Sequence, residues 1–350
     1  MDAFYKKYDL NFKRPSGTSR GILKQKETWF LVLKDKGKSG IGECGLFRGL
    51  SIDDVPEYEG KLSWTCSNIH LGKERLLEDL KDYPSIRFGV EQAFTSLASE
   101  NPFVLFPSAF TKSKAAISIN GLIWMGNIEY MEEQITQKIE AGFNCIKIKI
   151  GAIDFNTELS LLASMRKKYR KKEIELRVDA NGAFKVDEAL DKLIKLAACD
   201  IHSIEQPIKQ GFPVEMKYLC ENSPLPIALD EELIGHHTVT EKETLLQTIM
   251  PQYIILKPSL LGGFRACREW IDIASKLGVG WWITSALESN IGLNAIAQWT
   301  FTLNNKMPQG LGTGSLFTNN FISPLDIQNG KLHYNNSLNW EENLINKLCI

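Results

Sequence analysis

Histidine and paired cysteine, the usual makings of a zinc or copper centre, are scarce in this sequence. Its 350 residues hold 5 histidines and 7 cysteines. The cysteines (positions 44, 66, 145, 199, 220, 267 and 349) are odd in number and never spaced as C-x-x-C. That excludes a disulfide framework and points to reduced thiols in a cytoplasmic protein. An excess of one charge is missing too: 41 basic against 42 acidic residues leave a net charge of −1. No global field exists to draw in nucleic acid or an anionic membrane. No run of about 20 apolar residues occurs, so no transmembrane helix is expected. The N-terminus, MDAFYKKYDLNFKRP, lacks the apolar stretch of a signal peptide. The densest basic run, residues 166–172, ends a predicted helix, where cations suit the negative end of the helix dipole.

What is present is an ordinary globular composition, 43% hydrophobic and 24% charged. The length suffices for one barrel plus a smaller domain. Residues 1–112 read as an α+β unit, with strands first and helices after. Strands are expected at 5–12 and 28–33, and a third near 40–45 ending in a glycine turn. The segment RPSGTSRG (14–21) has loop chemistry. Helical patterns follow near 72–82 and 85–100. From residue 115 strands and helices alternate, so 113–322 reads as a (β/α) barrel domain. Residues 127–141 form a helix with Ile128, Met131, Ile135 and Ile139 on one face and Gly142 as its stop. Later strands are expected at 281–285 and 310–314. The tail, 323–350, leaves this rhythm and is expected to return onto the N-terminal domain.

Five polar residues stand where strand ends should be apolar: Lys149 in CIKIKIG, Asp179 in LRVDANG, Glu205 in HSIEQPI, Asp230 in PIALDEE and Lys257 in YIILKPS. Their spacings of 30, 26, 25 and 27 residues match the period of a βα unit. In a (β/α) barrel, residues at successive strand ends share one mouth. Any one of these carboxylates alone would read as a turn or cap residue. Strict alternation in Ile146-Lys147-Ile148-Lys149-Ile150 puts both lysines on one face and the isoleucines on the other. An interior ammonium is costly unless compensated, and burial and like charge both lower its pKa. That suits a lysine for work as a general base. Asp179, Glu205 and Asp230 are hard oxygen donors that would repel one another if left bare. Mg²⁺ resolves that repulsion, and the absence of cysteine and histidine from the set argues against zinc. Lys257 closes the set from the opposite side.

In these motifs (K-x-K, D-x-N, E-Q-P, D-E and K-P-S, in that order) the chain resembles the enolase superfamily, in particular its muconate-lactonizing-type subgroup. The resemblance implies an α/β fold: a modified (β/α)8-type barrel, (β/α)7β, with an N-terminal α+β capping domain. It implies Mg²⁺ held by Asp179, Glu205 and Asp230, and a small-molecule carboxylate as substrate. Lys149 would remove the α-proton, Lys257 would stabilise the resulting anion, and Lys147 would tune Lys149. Asn181 and Glu231 would orient the ligands or Lys257. The segments at 15–21, 42–46, 285–292 and 310–314 are most similar to dehydrating members of the subgroup. Racemases of N-acylamino acids and dipeptide epimerases are the alternative within the superfamily. A Schiff-base aldolase would leave the three carboxylates without a task. Ser285, Gly312, Thr313, Gly314 and, in a cap loop, Arg20 are the expected substrate contacts. Oligomeric state has no signature in the sequence.

Overall fold

The computed structural model describes residues 1–18 and 21–349. Strands β1 (Asp2–Thr18), β2 (Gly21–Asp35) and β3 (Lys38–Cys44) form an antiparallel sheet in that order. Helices α1 (Tyr58–Ser67), α2 (Lys73–Asp79) and α3 (Pro84–Ala98) follow. A loop was expected at 14–21; residues 14–18 instead extend β1 and residue 21 begins β2, while residues 19 and 20 lie outside the described residues. The register shifts between Asn11 and Ser16, then resumes with Ser16 opposite Leu23 and Gly17 opposite Ile22. A bulge lets the strands continue past Pro15, which has no N–H to give to the ladder. Helix α1 was not expected, because its buried residues (Tyr58, Leu62 and Thr65) form no clear apolar stripe.

Gly40 and Gly42 do not make a turn. They lie on one face of β3, and α3 packs directly on them. A Cβ on Gly42 would stand 2.0 Å from the Gly89 carbonyl oxygen, and one on Gly40 would stand 2.5 Å from that of Ala93. Bare glycine lets helix and sheet backbones meet.

The second unit starts with β4 (Ala116–Ser118) and continues through seven parallel strands: β5 (Gly121–Ile123), β6 (Cys145–Lys149), β7 (Glu175–Asp179), β8 (Ser203–Glu205), β9 (Ile227–Leu229), β10 (Tyr253–Leu256) and β11 (Gly280–Ile283). Helices α4 (Ile128–Glu140), α5 (Phe155–Lys168), α6 (Val186–Ala197), α7 (Pro213–Asn222), α8 (Val239–Ile249), α9 (Pro258–Leu261), α10 (Gly263–Leu277) and α11 (Asn290–Thr302) connect or follow them. The strands lie side by side in sequence order. The expected eighth strand is reduced to two residues. The Gln309 N–H donates to the Ser118 carbonyl (2.8 Å) and the Gly310 N–H to that of Ile283 (2.8 Å), which joins β4 to β11 and closes the ring. Helix α4 starts where the Asn127 side chain accepts from the Tyr130 N–H (2.9 Å), and Met131 and Ile135 are buried beneath it. Among the described residues no helix is long and apolar enough to cross a membrane.

Two buried carboxylates from the first unit cap helices of the second. Glu43 on β3 accepts from the N–H groups of Ser289 (2.9 Å) and Gly292 (2.9 Å) at the start of α11. Glu91 on α3 accepts from the Phe264 N–H (2.5 Å) and the Arg265 N–H (3.1 Å) at the start of α10. Carboxylates suit the positive ends of helices. Beyond the barrel, β12 (Leu325–Gln328) pairs with β13 (Lys331–Tyr334), and β13 pairs with β4. The short α12 (Leu344–Lys347) lies with Leu348 against Phe30, Val32 and Ile41 of the first sheet.

Gly42→Ala is expected to destabilise the fold by about 3 kcal/mol or more, since backbone must move to admit the methyl. Gly37, with φ +78 and open space around it, sets the control: Gly37→Ala should cost only about 1 kcal/mol from backbone strain. Urea denaturation of both variants tests the difference; equal losses would contradict the close-contact role of Gly42.

Candidate active site

The parallel register brings the strand ends together. Lys149 lies opposite Asp179, and Asp179 opposite Glu205. Asp230 and Lys257 follow directly on β9 and β10. Alternation along β6 works as expected: Ile146, Ile148 and Ile150 are fully buried in the core beneath the helices, while Lys147 and Lys149 line the inner cavity. Since β6 and β10 are four places apart in a ring of eight, Lys149 and Lys257 face each other across the mouth.

Each carboxylate is met by an ammonium. Lys147 donates to Glu205 Oε2 (2.7 Å) and Asp179 Oδ2 (3.2 Å). Lys149 donates to Asp179 Oδ2 (2.9 Å) and Asn181 Oδ1 (2.7 Å). Lys257 donates to Asp230 Oδ2. Asn181 is held in turn by donating to Glu231 Oε1 (3.0 Å). Burial above all, helped by the ammoniums of Lys147 and Lys257, pulls the Lys149 pKa down against Asp179. For Lys257 burial is outweighed by Asp230 and Glu231, and its pKa rises. Burial and the facing carboxylates of Asp179 and Asp230 push Glu205 up to about 7. Asp179 is held well below the usual carboxylate range, since Lys149, Lys147 and Lys257 together outweigh its burial.

Among the described residues no three acidic, histidine or cysteine side chains are gathered closely enough to hold a metal ion as they stand. The donor set nevertheless fits a hard cation. It offers only carboxylate oxygens on adjacent strands, the lysines occupy the place of positive charge, and buried Glu205 Oε1 has no hydrogen-bond partner.

The cavity above these groups is walled by Lys147, Lys149, Asp179, Asn181, Lys257, Ser285, Gly312 and Thr313, all expected from sequence. The Ser285 and Thr313 hydroxyls bond each other at 2.5 Å. Gly314 is not on the wall: a Cβ there would press on Asn290 Oδ1 at 2.5 Å, so its bareness serves packing. Arg20 lies outside the described residues. Phe47 and Leu50 come from the cap loop 46–50, which the sequence suggested would close over the site, and Leu287 from the segment 285–292. Leu23 of the first unit and Leu122, Trp124 and Leu260 of the barrel had no signature in the sequence. An apolar side chain at a strand end or loop looks like any core residue; only the eventual proximity of β5 to Lys147 marks Leu122 and Trp124.

The loop leaving β6 is held from below. Buried Glu158 on α5 accepts from the Gly151 N–H at 2.7 Å, just after Lys149. Burial raises its pKa from 4.5 to about 7, against backbone bonds from Gly151, Ile153 and Ala152 and the charge of Lys192. Between those two values the folded protein holds a proton that the unfolded chain has lost. This group's contribution is therefore fullest below about pH 4.5, declines as pH rises, and levels off above about 7. The span amounts to about 3 kcal/mol. Glu158→Gln should remove that component, so the variant should gain on the wild type between pH 5 and pH 8 in urea unfolding. Parallel pH dependence in the two proteins would contradict the assignment.

Residues 130–337 match the family described as enolase C-terminal domain-like. The chain is 45% identical to an o-succinylbenzoate synthase of Desulfotalea psychrophila, over 95% of this chain and 98% of that protein. A crystal structure of MenC from Desulfotalea psychrophila LSv54 superposes with a TM-score of 0.85 at 41% identity, covering 95% of this chain and 99% of that one. The L-Ala-D/L-Glu epimerase of Bacillus subtilis is 26% identical, over 87% of this chain and 84% of that protein.

Proposed function

This chain belongs to the enolase C-terminal domain-like family, and from that premise we propose the course of its reaction. The activity is that of an o-succinylbenzoate synthase, a hydro-lyase. It converts 2-succinyl-6-hydroxy-2,4-cyclohexadiene-1-carboxylate to 2-succinylbenzoate in menaquinone biosynthesis.

Superfamily members generally use Mg²⁺. Asp179, Glu205 and Asp230 would hold it, and when bound it stabilises negative charge gathering on the substrate's carboxylate oxygens. Lys149, as the free amine, takes the proton α to the ring carboxylate, and the C–H electron pair passes into an ene-diolate. The ring hydroxyl then leaves with its C–O electron pair, receives the proton from Lys149 and departs as water. Aromatisation of the ring drives this step forward. Lys257, on the opposite face and held by Asp230, keeps its proton and offsets the anionic charge. Lys147, tied to Asp179 and Glu205, keeps a third positive charge beside the substrate carboxylate. Asn181 fixes the Lys149 ammonium, and Glu231 fixes Asn181. Ser285 and the backbone at Gly312 and Thr313 border the rest of the substrate, and Arg20 is proposed to reach it from the cap. Leu23, Phe47 and Leu50 keep water out of the closed site.

One observation carries the reading: two lysines stand opposite each other across the mouth, with three acids on the strands between them. Residues 310–314 (GLGTG) offer no acid for the ammonium of a dipeptide, which favours dehydration over epimerisation. All 7 cysteines are free, which supports a cytoplasmic setting.

Lys149→Ala and Lys257→Ala should each lower turnover by on the order of 10³-fold or more while circular dichroism and Mg²⁺ binding stay intact. Robust turnover by either variant would overturn the two-lysine mechanism. Asp230→Asn should weaken Mg²⁺ affinity in calorimetry; unchanged affinity would remove Asp230 from the ligand set.

A further inference from the structure

A second cavity, unused by this mechanism, opens beside the first at the weakest seam of the barrel. Asn120, Leu122, Trp124, Gly312 and Thr313 line both. The ring is closed there by backbone bonds through Gln309 and Gly310 and by the Gln309 side chain, whose Oε1 accepts from the Ile283 N–H (2.7 Å). Gly312, just beyond them, borders both cavities. The side cavity is the roomier of the two, about 250 Å³ against about 80 Å³.

Its lining is one-sided in charge. Lys13, Arg14 and Lys138 border it, and no aspartate or glutamate does. None of the three forms an ion pair among the described residues. Lys138 is largely buried, its Nζ 5.1 Å from the Phe143 ring centroid, and burial pulls its pKa down with no carboxylate to offset it. At the neck, Asn120 is only 5% exposed. Its backbone N–H donates to the Gln309 carbonyl (3.0 Å), and the residue borders both cavities, where a carboxamide N–H can donate to a ligand.

The substrate is a dianion. Its ring carboxylate takes the place beside Asp179, Glu205 and Asp230, which leaves the second carboxylate to be held elsewhere. Away from the lysines the first cavity is walled largely by Leu23, Phe47, Leu50, Leu260 and Leu287, with the hydroxyls of Thr284, Ser285 and Thr313 but no further cation to offset a carboxylate. We propose that the side cavity receives the distal, succinyl carboxylate, with Asn120 donating at the neck and Lys138, Lys13 and Arg14 supplying the counter-charge. This inference rests on the proposed reaction and adds specificity-determining residues to it.

The test uses the Mg²⁺-loaded enzyme and two ligands, 2-succinylbenzoate and 2-butanoylbenzoate, which differ in whether the chain ends in a carboxylate or a methyl group. Binding is read by tryptophan fluorescence. Lys138→Met and Asn120→Leu should each weaken 2-succinylbenzoate by about tenfold and leave 2-butanoylbenzoate unchanged. KM for the substrate should rise in step, with kcat within about threefold. Equal weakening of both ligands, or no change in either, overturns the proposal. If Asn120→Leu does not fold, Lys138→Met decides alone. Failure of the wild type to dehydrate the substrate would count against the reaction itself; normal wild-type turnover with unaltered variants would count against the side cavity only.

Discussion

Three ammonium groups face three carboxylates at the barrel mouth, and the rest of the site depends on that balance. Lys147, Lys149, Asp179, Glu205 and Asp230 are all less than a tenth exposed. Charges so far from water are tolerated only because each is paired and hydrogen-bonded. With Lys149 as the free amine and a divalent cation bound, the mouth would carry one net positive charge beside the ring carboxylate. Proton transfer leaves the total unchanged but sets a new ammonium, Lys149, next to the second negative charge of the ene-diolate, where Lys147 and Lys257 are already fixed; this is the preorganised stabilisation catalysis needs. The lysines differ in their neighbours. Lys149 is crowded by other ammoniums, while Lys257 is held by Asp230 with Glu231 close by. Position therefore gives two identical side chains different tasks.

That balance requires dryness, and the first unit supplies it. Glu43 and Glu91 pin the cap to the N-termini of α11 and α10, and an apolar cluster of Leu10, Phe12, Trp124, Leu287 and Phe317 spans the junction. Behind that wall Lys26 is buried without a hydrogen-bond partner, offset by the charges of Glu43, Glu288 and Glu27. A seam holding an ammonium and carboxylates away from water is specific in register, because a slipped cap would strand those charges.

The site was far more legible in the sequence than its surroundings. Lys149, Asp179, Glu205, Asp230 and Lys257 announced themselves because each breaks an apolar strand pattern at a regular period. The structure sets all five at one mouth. Trp124, Leu122 and Asn120 were invisible for the converse reason: apolar or neutral residues beside strand ends match the ordinary pattern. The β1–β2 hairpin was cut short in the reading because Pro, Gly and Ser at 14–21 carry the same local chemistry in a bulged strand as in a loop. Gly40 and Gly42 fell within the expected third strand, but their task, contact with α3, involves a partner about 50 residues away. Local pattern records conformational preference, while close approach is a property of the fold.

The central claim is that this mouth dehydrates a cyclohexadiene carboxylate by Mg²⁺-assisted proton abstraction. The most direct measurement follows the diene absorbance of 2-succinyl-6-hydroxy-2,4-cyclohexadiene-1-carboxylate with the purified protein, first with Mg²⁺ and then with EDTA. The account predicts rapid loss of absorbance that EDTA abolishes and fresh Mg²⁺ restores. Turnover that persists in EDTA, or no turnover with Mg²⁺ present, would contradict it.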